Sequence, residues 1–118
     1  MSKPTILVLD DEIPRIDILT KKLGDDFKIF STADLDKALE ILQKNKIDLL
    51  LTEITFPDFD KWLAKVALFN IPVYIVTETS DSKILNTLKK SALVQACFLK
   101  KYNNLDYIIA KIKEKIKT

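Results

Sequence analysis

The hydrophobic positions along this chain follow two patterns in turn: short continuous apolar runs, and stretches with apolar residues three or four positions apart. A short continuous run is typical of a strand that is covered on both faces of a parallel sheet. These runs predict strands over residues 5–9, 27–30, 48–53, 71–77 and 94–99. The spacing of three and four between them predicts helices that bury one face.

Residues typical of helix ends bound the predicted helices. Pro14 lies just inside the start of the first helix and Gly24 just past its end. Residues 31–34 form a capping-box pattern with Asp in place of Glu, and a short third helix begins near Phe59. Capping residues also precede the fourth and fifth helices: Ser80 or Asp81, and Asn103 or Asn104.

The regular alternation of strand and helix predicts one α/β domain over residues 1–118, with no linker or repeat. Five short β-α units favour an open, doubly wound parallel sheet over an eight-unit barrel. In the strand order 2-1-3-4-5, strands 1 and 3 are central neighbours. Ligand sites in such sheets lie beyond the carboxyl ends of the strands.

Composition excludes several classes of site. Histidine is absent, and there is one cysteine and one glycine. Imidazole-dependent catalysis, an internal disulfide and a glycine-rich phosphate loop are therefore excluded. No apolar run approaches the ~20 residues of a membrane span, and no signal peptide is evident, so we expect a cytoplasmic protein. The net charge is +2, and we interpret the lysine-rich last helix as a solvated face, with no nucleic-acid partner evident.

Polar residues that could carry chemistry follow four of the predicted strands. They are Asp10, Asp11 and Glu12 after the first, Glu53 at the end of the third, Thr77 at the end of the fourth, and Lys100 and Lys101 after the fifth. Carboxylate oxygens of this kind are typical ligands of Mg²⁺. The Thr77 hydroxyl and the Lys101 ammonium could hold the oxygens of a phosphoryl group, or of a carboxylate in its place. Each residue alone could be a cap or a strand end, so the coincidence of four strand ends carries the prediction.

The segments 6–12, 48–60, 71–81 and 96–102 resemble the receiver domains of two-component response regulators, the CheY-like family. The resemblance covers essentially the whole chain and implies a flavodoxin-like (βα)₅ three-layer sandwich. It implies a weak Mg²⁺ site and no other cofactor. The residues that it assigns are Asp10, Asp11, Glu53 and the Thr55 carbonyl to the metal, Thr77 and Lys101 to the phosphoryl group, and Phe98 to an aromatic switch.

The main departure from the family is at the phospho-acceptor position, where Glu53 replaces Asp. The extra methylene moves the carboxylate by ~1.5 Å, and an error of about 1 Å can cost ~100-fold in a reaction that depends on positioning. Glu53 is therefore expected to be a poor acceptor. Two interpretations stay open: Glu53 holds the domain in a state like the phosphorylated one, or it forms an inert ion pair with Lys101.

These features predict a phosphorylation-independent pseudo-receiver that binds other proteins and is not an enzyme. The resemblance implies an interface on helix 4, strand 5 and helix 5 for a kinase, effector or output domain, and we keep a homodimer open. The alternative is a conventional Mg²⁺-dependent receiver that accepts a phosphoryl group from a histidine kinase. A Mg²⁺-dependent hydrolase or a flavin binder is disfavoured: the hydrolase has no separate general base, and the acids after strand 1 would repel a flavin phosphate.

Overall fold

The computed structural model describes residues 3–79, 81–100 and 105–116. Strands and helices alternate through the described residues, as the apolar pattern predicts. The strands are β1 (Thr5–Leu9), β2 (Lys28–Thr32), β3 (Leu49–Thr52), β4 (Val73–Thr77) and β5 (Val94–Leu99). The helices are α1 (Ile13–Leu23), α2 (Leu35–Lys44), α3 (Phe59–Val66), α4 (Ser82–Lys89) and α5 (Leu105–Lys115), with a 3₁₀ turn over Ala67–Phe69.

The five strands form one parallel sheet in the order β2-β1-β3-β4-β5, which confirms the predicted topology. The register brings the strand ends level: Leu9 pairs with Thr52, and Thr77 pairs with Leu99. The pairing of β4 with β5 shifts by one residue, because Val73 pairs with Val94 and the next residue, Tyr74, pairs with Ala96. Gln95 is thus an extra residue in β5, as in a β-bulge.

Helices cover both faces of the sheet and create two apolar layers. On one face, Leu50 and Ile75 belong to a cluster with residues of α2, α3 and α4. On the other face, Val8 and Leu51 belong to a cluster with residues of α1 and α5. Burial of the central strands on both faces explains their continuous apolar sequences. This three-layer arrangement is the flavodoxin-like α/β fold.

Several element boundaries differ from those predicted. Phe27 precedes β2: its backbone N–H bonds the Leu23 carbonyl, so it belongs to the turn after α1. Asp34 is itself the N-cap of α2, because its Oδ1 accepts from the N–H groups of Asp36 and Lys37, 2.8 and 3.2 Å away. Asp81 caps α4, as one of the two alternatives had it. Ser80, Asn103 and Asn104 lie outside the described residues.

Within the described part of the chain, no helix combines the length and the apolar character that a membrane crossing requires.

Candidate functional site

The carboxyl ends of four strands bring Asp10, Glu53, Thr77 and Lys100 together in one buried pocket. Backbone hydrogen bonds continue the ladders one residue past the strand ends: the Glu53 N–H donates to the Leu9 carbonyl and the Lys100 N–H to the Thr77 carbonyl, both at 2.8 Å. Asp10 is 3% exposed, Glu53 2% and Thr77 fully buried. The Lys100 side chain is 7% exposed. The pocket is therefore set by sheet register and largely shielded from water.

The Glu53 carboxylate is held by four donors. Its Oε1 accepts from the backbone N–H of Ile54 at 2.7 Å and from the Thr77 hydroxyl. Its Oε2 accepts from the N–H of Glu78 at 3.3 Å and lies 3.1 Å from the ammonium nitrogen of Lys100. Both oxygens are thus satisfied, which a carboxylate at this depth requires.

The Lys100 ammonium bridges three carboxylates. Its Nζ lies 2.7 Å from Glu12 Oε1, 3.1 Å from Glu53 Oε2 and 3.2 Å from Asp10 Oδ2. The other oxygen of Asp10, Oδ1, accepts from the Glu12 N–H at 2.9 Å at the start of α1. One cation therefore joins the loops that follow β1, β3 and β5.

The pKa shifts in the pocket reflect burial and this shared cation. Burial raises the pKa of Asp10, and the Glu12 N–H and Lys100 only partly oppose it. Burial alone would lower the pKa of Lys100, but Glu12, Asp10 and Glu53 outweigh it, and the pKa is raised. A raised lysine pKa means that the ammonium stabilises the fold at neutral pH, and that this contribution is lost only as the pH rises above the ordinary value and through the raised one.

A carboxyl pair lies at the mouth of the pocket. The hydrogen bond from Lys100 is the largest cause that lowers the pKa of Glu12, and a hydrogen bond with Glu78 lowers it further. The same Glu12–Glu78 hydrogen bond raises the pKa of Glu78. Glu78 stands at the exposed entrance, so the mouth carries acidic groups.

The oxygen ligands predicted for Mg²⁺ are present, but two of the four predicted ligand residues already serve a resident cation. Asp10, Asp11 and Glu12 can each offer an oxygen within 4.8 Å of the others, and oxygen donors suit Mg²⁺. Asp10 and Glu53, however, both contact Lys100. Asp11 is exposed, and among the described residues it makes no ion pair; Thr55 is exposed in the loop before α3. The oxygen ligands are of the type that Mg²⁺ prefers, but the two buried ones, Asp10 and Glu53, already contact the Lys100 ammonium.

Lys101 and Phe98 are the predicted phosphoryl-contact and switch residues near the end of β5 in the sequence. Lys101 lies outside the described residues; among those described, Lys100 is a lysine that reaches the pocket. Phe98 is buried on the α1–α5 side, where its ring is 5.8 Å from that of Tyr74. The residue three positions before Lys100 is Cys97, which packs half-buried on the opposite side of the sheet.

Sequence reasoning missed Arg15. Its Nε and Nη2 are buried and have no hydrogen-bond partner in the described structure. Arg15 lines a small internal cavity together with Asp10 and Glu53. The signal available was that the only arginine of the chain stands five residues after Asp10 in the first turn of α1. The pocket therefore has a second cation beside it.

Comparisons with known proteins agree on the fold. No protein-family model matches the chain, and no curated protein matches it. Among solved structures, the CheY-like response regulator receiver domain protein of Methanospirillum hungatei JF-1 is 23% identical, with a TM-score of 0.82 over 97% of this chain and 94% of that one. A two-component response regulator from Clostridium difficile is 24% identical, with a TM-score of 0.81 over 96% and 95% of the two chains.

The adenylate cyclase from Rhodopirellula baltica also superimposes, with a TM-score of 0.84, 20% identity, and 98% of this chain and 88% of that chain covered. At these identities the likeness establishes the fold: the chain has the flavodoxin-like α/β architecture of CheY-like receiver domains.

Proposed function

We propose that the chain is a receiver-like domain of two-component signalling that binds partner proteins without a phosphorylation cycle. The observation that carries the proposal is the setting of Glu53, whose carboxylate is 2% exposed and accepts from four donors. The resemblance assigns Thr77 and Lys101 to a phosphoryl group, and Lys100 is the residue next to Lys101. In this chain Thr77 and Lys100 contact a carboxylate of the protein itself.

The contacts favour a mimic of the phosphorylated state over an inert ion pair. An inert pair needs only Lys100, whereas the Glu53 oxygens also take up the Thr77 hydroxyl and the backbone N–H groups of Ile54 and Glu78. Thr77 and Glu78 belong to one further loop, the one after β4, so the carboxylate joins its own β3 loop to the β4 and β5 loops as a phosphoryl group would. The mimic carries one charge on two oxygens, less than a phosphoryl group carries.

A partner surface for such a module lies at the β5 edge of the sheet. β5 is the terminal strand, with α4 on one side and α5 on the other. Ile84 of α4 is 47% exposed, which is high for an isoleucine in an otherwise buried apolar pattern. We place the interface for a kinase, effector or output domain on this α4–β5–α5 face. A homodimer through the same face is the other arrangement, which sedimentation of the purified chain distinguishes.

Acetyl phosphate tests the proposal directly. The chain is incubated with acetyl phosphate and Mg²⁺, and its intact mass is recorded. We expect no phosphoryl gain in the wild type. The longer Glu53 side chain places its carboxylate where a phosphoryl group would lie, and its oxygens already accept from four donors. We expect a partial gain in Glu53→Asp, whose shorter side chain leaves room between Thr77 and Lys100.

Glu53→Gln is the matched control, since an amide keeps the length of Glu but cannot form the acyl phosphate. It should gain no mass. A phosphoryl group on the wild type that disappears in Glu53→Gln would instead establish the conventional receiver and end the pseudo-receiver proposal. A wild-type gain that persists in Glu53→Gln would place the acceptor elsewhere and also contradict the proposal.

A further inference from the structure

The ammonium of Lys100 lies where three carboxylates converge, and we infer that it replaces a divalent cation, so that the pocket is assembled without a metal ion. The inference rests on the proposed function, because it concerns the same pocket. The Nζ is within 3.2 Å of oxygens of Asp10, Glu12 and Glu53, and its side chain is 7% exposed. Carboxylates gathered this closely repel one another unless a cation lies among them. Lysine supplies that cation from the chain itself.

Every oxygen of the two buried carboxylates is already in use. Asp10 Oδ1 accepts from the Glu12 N–H, and Oδ2 contacts Lys100. Glu53 Oε1 accepts from Ile54 and Thr77, and Oε2 contacts Lys100 and the Glu78 N–H. Mg²⁺ binds oxygens at ~2.0–2.1 Å and loses its waters reluctantly. A Mg²⁺ ion on Asp10 and Glu53 would therefore share its ligand oxygens with the ammonium and lie close to a like charge.

Arg15 adds a second, independent obstacle to a divalent ion. Two of its guanidinium nitrogens are buried without partners in the described structure, and it lines the same small cavity as Asp10 and Glu53. After the hydrogen bonds of Lys100 and Glu78, the charge of Arg15 helps to lower the pKa of Glu12. Two cations of the chain itself thus lie beside Asp10 and Glu53, and both would repel a Mg²⁺ ion placed between these carboxylates.

Metal titration of matched variants tests the inference. MgCl₂ and MnCl₂ are titrated calorimetrically into the wild type, and the thermal midpoint is measured with and without each metal. We expect no saturable binding and no change in midpoint at millimolar metal. Lys100→Met frees the carboxylates and should bind Mg²⁺ saturably at millimolar metal, roughly tenfold or more below any concentration at which the wild type responds, because a like charge next to the ion has been removed. Metal should also raise the midpoint of this variant.

Two control variants test whether the effect requires the loss of a positive charge at position 100. Lys100→Arg keeps a cation at the site and should bind no more metal than the wild type. Lys44→Met removes the same charge from an exposed pair with Glu40 and should also behave as the wild type. If Lys100→Met does not fold alone, it is refolded with MgCl₂ or MnCl₂. Recovery of the fold in either metal supports the inference, and failure in both overturns it.

Saturable Mg²⁺ binding by the wild type that is lost in Asp10→Asn overturns the inference, as does a folded Lys100→Met variant that binds metal no better than the wild type. These results are distinguishable from failure of the proposed function. A wild type that binds Mg²⁺ but gains no phosphoryl mass would overturn the metal replacement alone. A wild type that gains phosphoryl mass would overturn the pseudo-receiver.

Discussion

Replacing Lys100 by Met should destabilise the fold strongly, because it leaves two buried carboxylates without their counter-ion. Methionine keeps the length and the apolar stem of lysine, so the change is mainly the charge. The side chains of Asp10 and Glu53 are 5% and 2% exposed, and both lie just over 3 Å from Nζ. At an effective dielectric constant of about 20, a pair at this distance attracts by roughly 5 kcal/mol before desolvation is subtracted. Removing one partner of a buried pair costs about 3–5 kcal/mol, and we expect a loss in that range at pH 7.

Urea unfolding followed by far-ultraviolet circular dichroism measures this loss. A domain of this size has a urea slope of about 1–3 kcal/mol/M, so the midpoint should fall by roughly 2 M. Lys44→Met is the matched control. The Lys44 and Glu40 side chains are 68% and 50% exposed, and such an i,i+4 pair contributes only about 0.3–0.5 kcal/mol.

The pH dependence of the stability loss in Lys100→Met is a second test. Burial already raises the pKa of Asp10 above its ordinary value of 3.8, and removing Lys100 raises it further. A raised acid pKa means that the folded state binds a proton more readily than the unfolded state, so the variant regains stability as the pH falls. The difference from wild type should therefore shrink between pH 7 and about pH 4. A loss no larger than that of Lys44→Met, or a loss equal at both pH values, would refute the role of Lys100 as the counter-ion of Asp10 and Glu53.

Two further substitutions probe the hydroxyl and the core. Thr77→Val keeps the shape of a fully buried side chain but removes a donor to Glu53, so we expect a loss of about 1–3 kcal/mol in urea unfolding, against little change for the exposed Thr87→Val. Equal effects of these two would show that the Thr77–Glu53 bond does not stabilise the pocket. Leu50 is fully buried in the central strand, so Leu50→Ala should lower the free energy of unfolding by about 2–5 kcal/mol. Leu68 is 86% exposed, so Leu68→Ala should change it by no more than about 0.5 kcal/mol. A thermal midpoint unchanged by Leu50→Ala would contradict the assigned core.

The alternation of apolar runs and helical spacing was enough to predict the sheet. Buried parallel strands need side chains that are apolar on both faces, and short apolar runs such as residues 49–51, placed between helical patterns, match this need. Element ends were less predictable, because they depend on single hydrogen bonds. Asp34 caps α2 directly, although the preceding residues offered an equally good capping pattern.

The acid cluster was also predictable, since residues that follow parallel strands share one edge of the sheet. Which lysine enters it was not. Residues 100 and 101 are identical in type, so the sequence pattern does not distinguish them. The extra residue Gln95 changes the register of β5 against β4, and the bond from the Lys100 N–H to the Thr77 carbonyl carries the ladder one residue past Leu99.

The sequence by itself therefore determined the alternating α/β architecture and the set of acids and hydroxyl at the strand ends, because these follow from the order of short-range patterns along the chain. The strand order 2-1-3-4-5 was what the family resemblance implied. Only the tertiary structure decided that Lys100 joins Asp10, Glu12 and Glu53, and that two guanidinium nitrogens of Arg15 are buried beside the same cavity. Those contacts join residues from distant parts of the chain, so they depend on register and on the competition of several charges for one small volume, which no local pattern specifies.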